Sequence, residues 1–229
     1  MRTGRFIVID GAEGVGKSTQ AARLAQYLAR DSPAPLVVRE PGGTPAGETI
    51  RALLLDPRSA LSARAEALLF MASRAELVDE VIAPALGRGQ TVIADRFFLS
   101  TYAYQIGARN LPEEAVRAAN HFATAGLAPD LTILLRLPAA RGLARAAERG
   151  EHDRLEGAGN AFHEAVERAF MLFNEPYWQA AHPECGPVVA IDADGSADQV
   201  FARIVAAFKA RWPESGEAGI RNQEPVTKS

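Results

Sequence analysis

The sequence predicts an α/β fold, a doubly wound five-stranded parallel sheet flanked by helices. Three observations carry that expectation. Five short apolar runs recur along the 229 residues, none of them shows clear polar alternation, and helix-period segments separate each from the next. Strands covered on both faces read as continuous apolar runs. Regular β–α alternation is the pattern of a parallel sheet with helices on both sides.

In chain order the strands are FIVI at 6–9, LVV at 36–38, TVIA at 91–94, LTILL at 131–135 and VVAI at 188–191. Helical spacing covers 17–30, 46–55, 62–87, 98–107, 112–125, 138–148, 160–181 and 196–211. Ligands of such sheets bind beyond the carboxyl ends of the strands. Chemistry is therefore expected just after Ile9, Val38, Ala94, Leu135 and Ile191. There is no internal repeat. Residues 1–212 are expected to form one domain, and residues 213–229, almost without apolar side chains, a disordered tail.

Composition narrows the class. Hydrophobic residues make up 48% of the chain and charged residues 23%, the proportions of an ordinary globular protein. One cysteine, Cys185, excludes an intramolecular disulfide, and four scattered histidines give no zinc spacing. A reducing, cytoplasmic location is expected. The strand pattern begins too early for a signal peptide, and no uncharged apolar stretch approaches the ~20 residues of a membrane span. A net charge of −3 lacks the basicity of a nucleic-acid binder. Of 25 lysines and arginines only Lys17, Lys209 and Lys228 are lysines, so Lys17 stands out.

Lys17 belongs to the strongest motif. Gly11, Ala12, Glu13, Gly14, Val15, Gly16, Lys17 and Ser18, followed by Thr19, fit G-x-x-x-x-G-K-[ST] between a buried strand and a helix. The glycines let successive N–H groups converge on one phosphate, and the helix start adds partial positive charge. Lys17 would bridge the β- and γ-phosphates of a nucleoside triphosphate, and the Ser18 hydroxyl would hold Mg²⁺. The fold expected is thus of the P-loop NTPase type. A mere glycine-rich chain reversal is the alternative.

Other strings choose among P-loop classes. No N-K-x-D element reads guanine, and the DxxG at 192–195 follows the last strand, the wrong place for a switch. Glu13 and Ser18 stand where an adenylate kinase loop carries proline and glycine. REPGGTP at 39–45 follows the second strand, and DRFFLSTYAYQ at 95–105 follows the third. With the P-loop these strings resemble thymidylate kinases, whose pattern is E-G-x-[ED]-G-x-G-K-[ST]-T, then R-E-P-G-G-T, then D-R-[YFH]-x-x-S-x-x-A-Y-Q. The resemblance spans about residues 6–208. One departure is Asp10, where the family usually carries glutamate.

Some site residues follow from position and others from the resemblance. Asp95, ending the third strand beside the P-loop strand, suits Mg²⁺ held through water, with a strand-end cap as the alternative. Arg96 has the fork geometry for the dTMP phosphate, with a structural ion pair as the alternative. Phe70 and Arg74, four apart, share a helix face; the resemblance implies that Phe70 stacks on thymine while Arg74 donates to O4. Ser100, Thr101, Tyr104 and Gln105 also share a face. The resemblance places Tyr104 under the deoxyribose, excluding a 2′-hydroxyl, and Thr101 and Gln105 at the base edge. It implies that Glu13 reaches the 3′-hydroxyl of dTMP, that Glu40–Pro41 is a cis peptide at the substrate turn, and that the protein is a homodimer.

Residues 141–157 contain Arg141, Arg145 and Arg149 at spacings of four, like charges on one helix face. A solvated, charge-laced helix is the plain reading. ERGEHDRLEG at 148–157 is also similar to the family's arginine-rich lid. With no arginine in the P-loop, the chain resembles the lid-arginine type, with Arg149 and Arg154 as catalytic candidates and Arg145 a weaker one. The implied reaction transfers the γ-phosphoryl group of Mg-ATP to dTMP, giving dTDP and ADP. A deoxynucleoside kinase and a non-catalytic nucleotide-binding protein are the alternatives.

Overall fold

The structure, a computed structural model, describes residues 4–29, 33–147, 154–155 and 157–213. Its centre is one sheet of five parallel strands: β1 (Phe6–Gly11), β2 (Leu36–Arg39), β3 (Val92–Asp95), β4 (Leu131–Arg136) and β5 (Val188–Asp192). Their spatial order is β2-β3-β1-β4-β5. The order reverses at β1, whose neighbours β3 and β4 lie on opposite sides, and a crevice opens there beyond the strand ends. Register places Ile9 against Asp95 and Gly11 against Leu135.

The lack of polar alternation in the strands has a direct cause. Phe6 and Val8 enter one apolar cluster, while Ile7 and Ile9 enter a second on the opposite face. The second is closed by α1 (Lys17–Leu28) and α10 (Ala197–Arg211), through Leu24, Ile204 and Phe208. The first holds side chains of α3 (Ala63–Leu77), α5 (Phe98–Thr101), α6 (Glu113–Thr124), α8 (Asn160–Leu172) and α9 (Pro176–Ala181). Phe6 and Phe97 meet edge-on there, with ring centroids 5.0 Å apart.

Helix ends follow local chemistry. Thr44 caps α2 (Pro45–Leu55), accepting from the Gly47 N–H at 3.0 Å, and Pro45 takes the first-turn position where an N–H is dispensable. Ser196 and Gln199 form a reciprocal capping box on α10.

The expected helices at 62–87, 98–107 and 160–181 are each subdivided. Between α3 and α4 (Ala83–Gly87) lies a π-helical turn, Val78–Ile82. It precedes Pro84, which has no N–H for the regular ladder. A second π-helical turn, Tyr102–Ala108, follows α5. Glu175 takes extended geometry before Pro176, so α8 and α9 are separate helices. The remaining helix, α7, spans Ala139–Ala147. Among the described residues no helix is long and apolar enough to cross a membrane.

Candidate active site

A cleft of about 380 Å³ opens at the switch point. At one end lies the loop from β1 to α1. Gly14 and Gly16 have φ of 68° and 95°, backbone that favours glycine. A Cβ on Gly14 would stand 1.8 Å from the Gly142 carbonyl oxygen, whereas one on Gly16 would meet nothing within 4 Å. Gly16 also begins α1 without any side-chain cap, and the first turn of that helix holds no acidic residue. A first turn without such a cap suits an anion.

Lys17 is buried and donates to the Ala12 carbonyl at 2.6 Å. Burial and the nearby Arg96 guanidinium lower its ammonium from the ordinary 10.5 to about 8. A phosphate beside it would favour the charged form.

The Ser18 hydroxyl donates to the Asp95 carboxylate. Two hard oxygen ligands thus meet at the end of β3, a donor set that fits Mg²⁺, which retains most of its waters. Among the described residues no group of three or more His, Cys, Asp and Glu could hold a metal ion by itself.

Next along the cleft is a compact charged cluster. Arg96 takes φ of 75°, left-handed backbone that is uncommon outside glycine. Its N–H donates to the Ile9 carbonyl at 3.0 Å and its side chain to Ser100 Oγ at 2.8 Å, and it pairs with Glu13. Burial would lower its guanidinium, but Glu13, Tyr104, Asp10 and Asp95 outweigh burial and hold it above its ordinary value. Tyr104 donates to the same Glu13 oxygen at 2.9 Å, and its ring lies 5.4 Å from the Arg96 guanidinium carbon.

Asp10 organises the turn from below. Fully buried, it accepts from the N–H groups of Gly11, Phe97 and Ser100 and from Ser100 Oγ at 2.6 Å. Aspartate in place of the usual glutamate is therefore firmly bonded here.

Phe70, Arg74, Thr101, Gln105 and Pro41 line the far end. Ser100, Thr101, Tyr104 and Gln105 all line the cleft, the last two from the π-helical turn. Glu40–Pro41 is cis.

Arg74 differs from expectation. It is buried, and all five of its N–H donors face protein acceptors. Nε faces the Glu40 carboxylate at 2.9 and 3.0 Å. Nη1 reaches Thr101 Oγ1 and Asn120, and Nη2 reaches Glu40 and the Phe97 carbonyl. Its head forms the floor of the pocket, and reaching thymine O4 requires one of these bonds to open. Burial raises the Glu40 carboxyl, partly offset by Arg74.

The lid candidates are not brought together. Arg149 lies outside the described residues. Arg154 turns toward α2 and α3, donating to the Leu54 carbonyl at 2.8 Å and pairing with Glu66 at 2.7 Å. These described contacts do not bring Arg154 to the phosphate loop. Arg145 reaches the Ala193 carbonyl at 3.5 Å and Arg141 pairs with Asp194 at 2.6 Å, both beyond the end of β5.

The sequence reading missed Arg51, Glu66 and Leu155. Arg51 lines the cleft and donates to the Pro41 carbonyl at 2.9 Å, and Leu155 lines it from a buried position. Arg51 follows the REPGGTP string closely and Leu155 falls inside ERGEHDRLEG, so both could have drawn notice; Glu66 carries no such signal.

Known proteins resemble this chain over most of its length. A family model described as thymidylate kinase matches residues 9–204. A thymidylate kinase of Deinococcus radiodurans is 44% identical over 211 residues, covering 92% of this chain and 99% of the relative. One from a Synechococcus strain is 48% identical over 210 residues, covering 91% and 96%. A third, from Pseudomonas savastanoi, is 48% identical over 170 residues, covering 74% and 81%. With matches this extensive, the chain belongs to the thymidylate kinase family.

Proposed function

We propose that this chain transfers the γ-phosphoryl group of Mg-ATP to dTMP, releasing dTDP and ADP. The observation that carries the reading is one cleft with two unlike ends: a phosphate loop with Lys17, Ser18 and Asp95, and a pocket of Phe70, Arg74, Thr101, Tyr104 and Gln105, with Arg96 between them. The acceptor oxygen belongs to a phosphate already largely ionised near neutral pH, so the main difficulty is bringing two anions together.

Lys17 and Arg96 supply positive charge on either side of the transfer point, fixed before the reaction begins. Mg²⁺ held by Ser18 and Asp95 would neutralise phosphate charge. The P-loop backbone from Gly11 to Thr19 orients ATP. Glu13 links the ends by holding Arg96 and Tyr104, within reach of a sugar hydroxyl in this reading. Pro41 and Ser100 shape the acceptor phosphate's surroundings, and Phe70, Thr101 and Gln105 read the base above Arg74. Arg149 is the lid arginine of the proposal, on motif alone; Arg154 enters through Glu66.

A nucleoside kinase needs a free base beside the sugar. Glu13, the acid within the phosphate loop, is held by Arg96 and Tyr104, which favours a monophosphate acceptor. The proposal extends to a homodimer, by resemblance, and to a cytoplasmic location, from the single cysteine, with nucleic acid and membrane playing no part. Light scattering on the purified chain tests the dimer.

The function is tested by ADP release with Mg-ATP against dTMP, dUMP, UMP, dCMP, AMP, GMP and thymidine. Strong preference for dTMP is expected. Turnover of thymidine but not dTMP would overturn the reading.

A further inference from the structure

The acceptor end of the cleft is walled by separate parts of the chain, and one carboxylate outside the cleft joins them. Glu66, in the first turn of α3, is fully buried. One of its oxygens accepts from Gln105 Nε2 and from Arg109 Nε, each at 3.1 Å. The other accepts from Arg109 at 3.0 Å and pairs with Arg154 at 2.7 Å. Arg154 in turn fixes its own backbone, its N–H reaching the Leu55 carbonyl at 3.1 Å. Gln105, Leu55 and Leu155 all line the cleft.

A second route leads from the same hub to the sugar side. The Arg109 guanidinium carbon sits 4.6 Å from the centre of the Phe162 ring, which meets Tyr104 with centroids 5.9 Å apart. Burial pushes the Glu66 carboxyl up, but Arg109 and Arg154 outweigh burial and hold it below its ordinary value. The carboxylate is ionised across the neutral range. Removing its charge would leave two half-buried guanidiniums without the carboxylate between them.

We infer that Glu66 is a positioning residue for the acceptor nucleotide, holding Gln105 directly and Leu155 and Tyr104 through Arg154 and Arg109, without touching substrate. The inference rests on the reading of this cleft as a dTMP site. No lid movement is involved, because every group named is already in place.

The test is steady-state kinetics on the full chain with dTMP and Mg-ATP varied separately. Glu66→Gln keeps the size of the side chain and one acceptor but loses the charge. The KM for dTMP should rise about tenfold or more, with kcat and the KM for ATP within about threefold. Arg109→Gln removes one arm of the hub and should raise the same parameter by a smaller factor. If Glu66→Gln does not fold, Arg109→Gln decides alone. Unchanged dTMP KM in the folded variants, or equal losses for both substrates, would overturn the assignment while leaving the kinase reading intact. Absence of saturable dTMP turnover in the unaltered protein would instead overturn the functional reading, and the inference with it.

Discussion

The two ends of the cleft are built in opposite ways. At the phosphate end the ligand-facing groups are largely backbone, carried on glycines, with one buried lysine and few partners. At the acceptor end they are side chains held by ion pairs, buried for Glu40 with Arg74 and half-buried for Glu66 with Arg109 and Arg154. A phosphate can be recognised by N–H groups converging on a point. A base and a deoxyribose present flat and edged surfaces, and a wall that fits them must be rigid in three dimensions. Chemistry at the first end should therefore be fragile to loss of charge, and recognition at the second fragile to loss of scaffolding.

The largest effect should come from Lys17→Ala. In the proposed mechanism this removes an ammonium from the transfer point and should lower kcat at least ~10²–10³-fold, the scale of losing one preorganised transition-state partner. Unaltered turnover would break the assignment. Glu40→Ala comes next. It leaves the buried Arg74 without its carboxylate, and severing a buried pair costs ~3–5 kcal/mol. Urea denaturation should show that loss, and dTMP affinity should fall further than ATP affinity.

A smaller, pH-dependent effect sharpens the contrast. Lys17 in the free protein loses its proton near pH 8, against an ordinary 10.5. Between those values the free fold binds fewer protons than the unfolded chain, so this group's contribution to stability rises with pH. ATP phosphates favour the ammonium, so ATP binding should take up a proton above pH 8 and weaken as pH rises. Calorimetry in buffers of different ionisation enthalpy reads that uptake directly; pH-independent ATP affinity from 7 to 9.5 would argue against a depressed Lys17. The smallest effect is a control at an exposed pair that does not line the cleft. Arg168→Ala removes an exposed i,i+4 pair with Glu164 and should change stability by no more than ~0.5 kcal/mol.

The phosphate end was legible in the sequence because its chemistry is local. Gly11 to Ser18 are contiguous, and the strand and helix on either side identify them. The strand ends were legible for the same reason: apolar runs such as residues 6–9 and 131–135 announce strands buried on both faces. At the acceptor end, the face of Ser100, Thr101, Tyr104 and Gln105 followed from helical spacing, despite the widened turn that begins at Tyr102.

Partners distant in sequence were not legible. Nothing in a single string places Glu66 beside Arg154, 88 positions later, or turns Arg74 toward Glu40 and Asn120 instead of outward. Arg154, read from the lid motif as catalytic, meets a buried acid that no spacing rule reveals. The π-helical turns likewise depend on ladder geometry around Pro84 and on packing around Tyr102.

The most direct test of the two-ended account is equilibrium titration of dTMP into Lys17→Ala, with phosphoryl transfer assayed on the same preparation. The account predicts dTMP affinity within about threefold of the unaltered protein, under 1 kcal/mol, alongside loss of transfer. Loss of dTMP binding together with transfer, in a variant that remains folded, would show that the two ends are not separately built and would contradict it.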